Sequence, residues 1–328
     1  MLGIRHPLVM APMFLVSNEK MVEAAMRSGI LGCFPSLNYR DADQLESVLI
    51  SLNAFRSTNP AYRGSYGVNL IVQQSNPFFQ KHLDICVKNR VPVYITSLGN
   101  PKTTIEAAHS YGAKVFCDVT NLTHAEKCHS LGCDGFVAVG QGAGGHAGPF
   151  PISLLVRSLR KHFPEVPVLA AGGISDGAGI LSALAAGASA AYCGTIFITS
   201  SESNVSIDYT KAILDSRMDD IVMTDRISGT PCTIINTPYA QKIGLHQNRL
   251  ERWLSKNPKT KKYFKMLVQR RGFSWLEKAM IPGNYKSLWC AGQSVELIDK
   301  IQPIELIVHE LMKEMNLAYQ DLNGMAIR

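Results

Sequence analysis

The sequence predicts an α/β protein: a (β/α)8 TIM barrel with a smaller, mainly helical lid or substrate domain. Three observations carry that expectation. A short run rich in Val, Ile and aromatics, followed by a turn, recurs eight times over the first two hundred residues, with amphipathic stretches in between. The runs are almost continuously apolar, as parallel strands covered on both faces must be. The G-x-G-x-x-G fingerprint that an open doubly wound sheet carries after its first strand is missing from MAPMFLVS.

In chain order the strand runs are PLVMAPM (7–13), LGCFPSL (31–37), YGVNLI (66–71), VPVYITSL (91–98), KVFCDVT (114–120), GFVAVG (135–140), PVLAAGG (167–173) and AAYCGTIF (190–197). Helical patterns fall between them at 17–29, 76–89, 100–112 and 175–187. The first and last begin at serines suited to N-capping, and all but the second stop at glycine. Residues 1–200 are therefore expected to form the barrel. Residues 201–288 read as helices and irregular loops forming the lid, and residues 289–328 as C-terminal helices returning to the barrel.

The chain has 328 residues, 46% of them hydrophobic, and a mean hydropathy near zero, which suits a globular protein with a sizeable core. Its apolar start is interrupted by Arg5, His6, Pro7 and Pro12, so neither a leader nor a membrane span is expected, and a cytoplasmic location is. None of the eight cysteines forms a C-x-x-C pair, and reduced buried thiols are expected instead of disulfides or a metal site. The net charge of +7 is local: Lys242 to Arg271 holds ten basic residues and one acidic residue, Glu251, leaving the rest slightly negative.

After the sixth strand comes VGQGAGGHAGPF (139–150), which sets His146 among Gly140, Gly142, Gly144, Gly145 and Gly148. Glycines of this density cost conformational entropy and permit close backbone approach to a ligand. In barrels, phosphates commonly sit on the loops after strands seven and eight. Here LAAGGISDG supplies Gly172, Gly173 and Gly177, and YCGTIF supplies Gly194 before Thr195. With the N-terminus of the helix opening near Ser175 and Asp176, they would make an anion cradle.

VMAPM, GVNL, GGHAG, AAGGISDG and CGTIF, in that order and followed by CAGQ at 290–293, resemble the nitronate monooxygenase (2-nitropropane dioxygenase) family, which is FMN-dependent. The resemblance implies that Ala11, Pro12 and Met13 lie against the isoalloxazine ring and that Asn69 reaches its polar edge. It also implies that Gly144 and Gly145 approach the flavin, that Ala171, Gly172, Gly173, Gly194 and Thr195 hold its phosphate, and that Gln293 stands on the substrate side. His146 falls on the catalytic histidine. The chain departs from the family at Gly142, where a glutamate is usual, and at Asp118, where some members have lysine.

The activity so implied is oxidation of alkyl nitronates or nitroalkanes by molecular oxygen. His146, with an unperturbed pKa of about 6.5, would serve as base toward a nitroalkane or, as imidazolium, hold the anionic nitronate. His124 and His129 are spaced off a common helix face and read as surface residues. The same loops resemble the FMN-dependent enoyl-acyl-carrier-protein reductases, for which NAD(P)H and an acidic carrier protein meeting the basic segment would be partners. A barrel that binds FMN or another phosphate ligand without turnover is a third reading. Over 248–273, Leu250, Trp253 and Leu254, then Tyr263, Phe264, Leu267 and Val268, suggest two amphipathic helices. Lys256, Lys259, Lys261, Lys262 and Lys265 are expected around their bend. Aromatics committed to apolar stripes argue against a nucleic-acid partner. The oligomeric state is left open.

Overall fold

Eight parallel strands, β1 (Leu8–Met10), β2 (Leu31–Pro35), β3 (Ser65–Ile71), β4 (Val93–Ser97), β5 (Lys114–Val119), β6 (Gly135–Val139), β8 (Val168–Ala171) and β9 (Ala190–Cys193), close into a barrel in that order. β9 pairs back onto β1, and a two-residue strand, β7 (Gly145–His146), stands outside. The computed structural model describes residues 1–227, 230–248, 251, 253–254, 266–268, 271–272, 277 and 288–325.

Successive residues of a strand point to opposite faces. Val9, Leu31, Val93, Phe116, Val137 and Leu169 fill the barrel interior. Phe34, Tyr66, Tyr94 and Phe136 face outward into the larger core beneath the helices. Burial on both faces explains the unbroken apolar runs. The expected strands 167–173 and 190–197 run past the observed ends. β8 stops where Gly172 and Gly173 turn with φ of +121° and +75°, and β9 stops where Gly194 caps a short helix, Thr195–Ile198.

The outer layer comprises α1 (Glu19–Arg27), α2 (Ala42–Thr58), α3 (Phe79–Lys88), α4 (Lys102–His109), α5 (Leu122–Ser130), α6 (Ile152–His162), α7 (Gly177–Ala185) and α8 (Thr195–Ile198). The two serine caps are displaced by one residue. Asn18 accepts from the Met21 amide at 3.0 Å, and Asp176 accepts from that of Gly179 at 2.7 Å. Ser17 is engaged in the turn after β1, where its Oγ accepts from the Met13 amide at 2.9 Å.

Past the barrel come α9 (Ile207–Asp215), β10 (Ile221–Thr224), β11 (Cys232–Ile235), α10 (Pro238–Ile243) and, near the end, α11 (Ile304–Gly324). The expectation of helices and irregular loops here missed a sheet, since β11 pairs antiparallel with both β10 and β7. Strands of four and two residues are too short for a period to mark, and one partner lies in the glycine-rich turn of the barrel. Of the two helices expected over 248–273, Leu250, Tyr263, Phe264 and all five lysines lie outside the described residues. Val268 is buried, but Trp253 and Leu267 are 58% and 62% exposed, so neither joins the packed stripe expected of it. α11 lies along α7 and buries Ile304, Ile307, Val308 and Leu311. No helix among the described residues is long and apolar enough to cross a membrane.

Candidate active site

One cavity of about 1520 Å³ opens at the C-terminal ends of the barrel strands. Its wall brings together His146, Ala11, Pro12, Met13, Asn69, Gly144, Gly145, Ala171, Gly172, Gly173, Gly194 and Thr195. Gln293 is not brought to it: the side chain is exposed, and its neighbour Ser294 lines the wall instead. His124 reaches the rim, accompanied by Thr120, whose Oγ1 lies 3.1 Å from its Nδ1.

The floor is a polar relay on three adjacent strands. The Asn69 amide donates to the Ile95 carbonyl at 3.2 Å and to Ser97 Oγ at 2.8 Å, and Ser97 donates onward to Asp118 Oδ2 at 2.5 Å. With both amide hydrogens engaged in the wall, Asn69 has only its Oδ1 acceptor to offer a ligand. Burial pushes the Asp118 carboxyl up to about 6, opposed by the Ser97 hydrogen bond to its charged form. Burial first, then the charge of Asp118, holds the Tyr192 phenol well above its ordinary value.

The histidine turn rests on three other pieces of backbone. Gly140 donates to the Ala171 carbonyl at 2.8 Å, and Gly142 accepts from the Gly173 amide at 3.0 Å, tying the turn to the end of β8. On the second side, a Cβ on Gly144 would stand 2.8 Å from the Gly292 nitrogen. Gly292 is itself fixed by donating to Thr195 Oγ1 at 3.1 Å. On the third side β7 pairs with β11, setting Cys232 opposite His146 and Thr233 opposite Gly145. Thr233 Oγ1 donates to the Ala143 carbonyl at 2.6 Å and leans toward that of Gly145 at 3.3 Å.

The glycines thus serve the backbone packing first. A Cβ at Gly142 would lie 3.0 Å from the Gly173 Cα and nitrogen, so the glutamate usual in the resembled family would need the Gly173 backbone to give by a few tenths of an ångström. Gly145, at φ +74°, has open space where a Cβ would project. His146 follows it as an exposed residue facing the cavity.

The anion cradle also differs from expectation. The first turn of α7 is already capped, with Asp176 on the Gly179 amide and Glu314 of α11 on that of Gly177 at 2.9 Å. Those two amides therefore already have acceptors. The glycines at 172–173 and the first amides of α8 remain, that of Phe197 already donating to the Gly194 carbonyl at 2.9 Å. Ser175 Oγ, buried beside them, has no hydrogen-bond partner among the described residues. No group of three or more His, Cys, Asp or Glu side chains among those residues is arranged to hold a metal ion.

Sequence reasoning missed Ser97, Cys232, Cys290 and Tyr192 as parts of this wall, and Thr233 as a support of the histidine turn behind it. Ser97 and Tyr192 occupy inward positions near their strand ends, a parity that could have marked them. Thr233 carried no local signal, because its partner is a carbonyl far away in the chain.

The chain is 28% identical over 288 residues to a probable nitronate monooxygenase of Staphylococcus aureus, with 75% of this chain and 80% of that protein covered. It is also 28% identical over 245 residues to the (3aS,4S,5R,7aS)-5-hydroxy-7a-methyl-1-oxo-octahydro-1H-indene-4-carboxyl-CoA dehydrogenase of Mycobacterium tuberculosis, a match spanning 74% of this chain and 66% of that longer protein. Among solved structures, FabK from Thermotoga maritima superposes with a TM-score of 0.83 at 28% identity, covering 98% of this chain and 96% of that one. A nitroalkane oxidase from Streptomyces ansochromogenes shares the fold, with a TM-score of 0.79 at 22% identity over 98% of each chain. Residues 1–314, nearly the whole chain, match the nitronate monooxygenase family, and by that match the chain belongs to it.

Proposed function

We propose that this protein is an FMN-dependent oxidoreductase that oxidises alkyl nitronates and nitroalkanes with molecular oxygen. The observation that carries the reading is a single cavity wall combining His146 with the glycine turns at 172–173 and 194–195. The residues fit the cofactor. Positive-φ glycines and the opening of α8 suit its phosphate, and the Asn69 Oδ1 acceptor suits the imide N–H of its ring. Ala11, Pro12 and Met13 would line the ring. FMN held there would supply the redox chemistry of the oxidation, with oxygen as the final electron acceptor.

The chain's own part is positioning and proton transfer. A ring nitrogen of His146 takes the α-proton of a nitroalkane, and the imidazolium so formed holds the anionic oxygens of the nitronate. A preformed nitronate needs only the second role.

A second reading is an NAD(P)H-dependent enoyl-acyl-carrier-protein reductase. It is favoured by the cavity of about 1520 Å³, since small-ligand sites usually span about 300–1,000 Å³. Room beyond a flavin and a small nitronate would suit an acyl chain.

Heating the purified yellow protein is expected to release FMN, and recovery of FAD or of no flavin would overturn both readings. Anaerobic addition of a nitronate should bleach the bound flavin, whereas NAD(P)H should not. Bleaching by NAD(P)H and recovery on an enoyl thioester would transfer the assignment to the reductase. Gly173→Asp should abolish FMN binding, because it puts a carboxylate where the phosphate must sit.

A further inference from the structure

We propose that Cys232 and Cys290 form an oxidisable dithiol in the cavity wall, a modification site that takes hydrogen peroxide and closes to a disulfide. Their sulfurs lie 4.0 Å apart, and both residues line the cavity. They belong to separate segments held side by side. An antiparallel bridge joins Ile234 to Cys290, and the Ile235 amide donates to the Trp289 carbonyl at 2.9 Å. Tyr209 fixes the second segment without using its thiol: the phenol donates to the Cys290 carbonyl at 2.5 Å and the ring stacks on Trp289.

The two thiols differ in access, which orders the chemistry. Cys290 is partly exposed, whereas Cys232 is 2% exposed. The neighbouring sulfur and burial hold the Cys232 thiol well above its ordinary pKa. The Cys290 thiolate attacks one peroxide oxygen; an S–O bond forms, the O–O bond breaks, and the leaving hydroxide takes a proton to become water. Cys232 sulfur then attacks the Cys290 sulfenic acid. The S–S bond forms, the S–O bond breaks, and hydroxide departs with the Cys232 proton as a second water. Two thiols give up two electrons and two protons, and the peroxide becomes two waters.

The cross-link would bear on the histidine turn. Cys232 is the register partner of His146, and Cys290 adjoins the Ala291–Gly292 backbone on which Gly144 rests. Drawing the sulfurs from 4.0 Å to a bonded separation of about 2.05 Å pulls on two of the three supports of that turn. The covalent step needs only the thiols and the peroxide, so it stands whatever the flavin reaction proves to be.

The test uses the full-length protein as purified, treated with small molar excesses of hydrogen peroxide, alkylated with iodoacetamide and digested for peptide mapping. The expected first product is a dithiothreitol-sensitive peptide joining Cys232 to Cys290, with two of the eight free thiols lost. It should be absent from Cys290→Ser and Cys232→Ser, and turnover should fall as it forms and return on reduction. A first disulfide elsewhere, such as Cys117 to Cys128, or over-oxidation of Cys290 without a cross-link, would overturn the site. A quantitative cross-link with turnover unchanged would overturn its coupling to the histidine turn.

Discussion

Two sides of the same cavity are held in opposite ways. The floor, Asn69, Ser97 and Asp118, consists of inward residues at the ends of β3, β4 and β5, brought level by the repeating register of the barrel. The opposite side, around His146, is assembled from the histidine turn, β11 and the segment after Leu288, joined by a few hydrogen bonds and close backbone contacts. A floor substitution should therefore alter charge while leaving shape intact. A substitution around the turn should alter shape and leave the barrel's stability almost untouched.

The largest effect sharpens the chemical half of this comparison. His146→Ala should retain bound flavin, because the residue is exposed and its turn is held by other groups. Turnover with a neutral nitroalkane should fall by about 100- to 10,000-fold, the usual scale for loss of a general base. Loss on a preformed nitronate should be smaller, since no carbon-bound proton has to be removed. Steady-state kcat on the two substrates makes the measurement; equal losses would assign His146 to anion binding, and no loss would remove it from the reaction.

The same contrast explains what was legible in the sequence. The eight barrel strands and the glycine turns could be read because each is a local pattern repeated at intervals. Gly142 could be read only as a departure from a family pattern. What a side chain there would meet, the Gly173 backbone at 3.0 Å, lies in another turn. The opening of α7 was read as part of an anion cradle without Glu314, which arrives from the far end of the chain to accept from the Gly177 amide. Gln293 was placed on the wrong side because it opens a 3₁₀ helix, Gln293–Leu297. Neighbouring residues there point about 120° apart, so an error of one position changes the face.

An intermediate effect tests the floor. In the folded protein Asp118 binds its proton more tightly than in the unfolded chain, its carboxyl being pushed up to about 6. Well below the unfolded pKa of about 3.9 both states are protonated and the group contributes nothing. Between about pH 4 and 6 the unfolded chain has released the proton and the folded one has not, so stability falls as pH rises. Above that window the folded state carries the whole penalty, at most about 3 kcal/mol. Asp118→Asn keeps an acceptor for Ser97 and removes the charge. The flavin-free variant is therefore expected to melt several degrees above wild type at pH 8 and close to it at pH 4. A gap independent of pH would mean that the carboxylate is better solvated than its place in the floor implies.

The smallest effect tests the support of the histidine turn. Thr233 is 5% exposed, and its hydroxyl spans from β11 to the Ala143 carbonyl at 2.6 Å. Thr233→Val preserves shape and the β7–β11 ladder but removes the donor, leaving a buried carbonyl short of a partner at a cost of about 1–3 kcal/mol. The turn can relieve that cost by a local shift at Ala143, between the ties at Gly140 and Gly142 on one side and the β7–β11 pairing at Gly145 and His146 on the other. A displaced imidazole costs rate more than binding, so kcat should fall about tenfold, equivalent to about 1.4 kcal/mol of barrel-independent positioning energy, with KM little changed. Thr233→Ser restores the donor and should recover most of the rate. The rate of His146 modification by diethyl pyrocarbonate in the flavin-loaded protein supplies a readout independent of turnover, and it should change in the valine variant and return with serine. If both variants lower the melting temperature equally and leave the modification rate alone, Thr233 only packs, and the turn is held from the barrel side by the end of β8 and by Gly292.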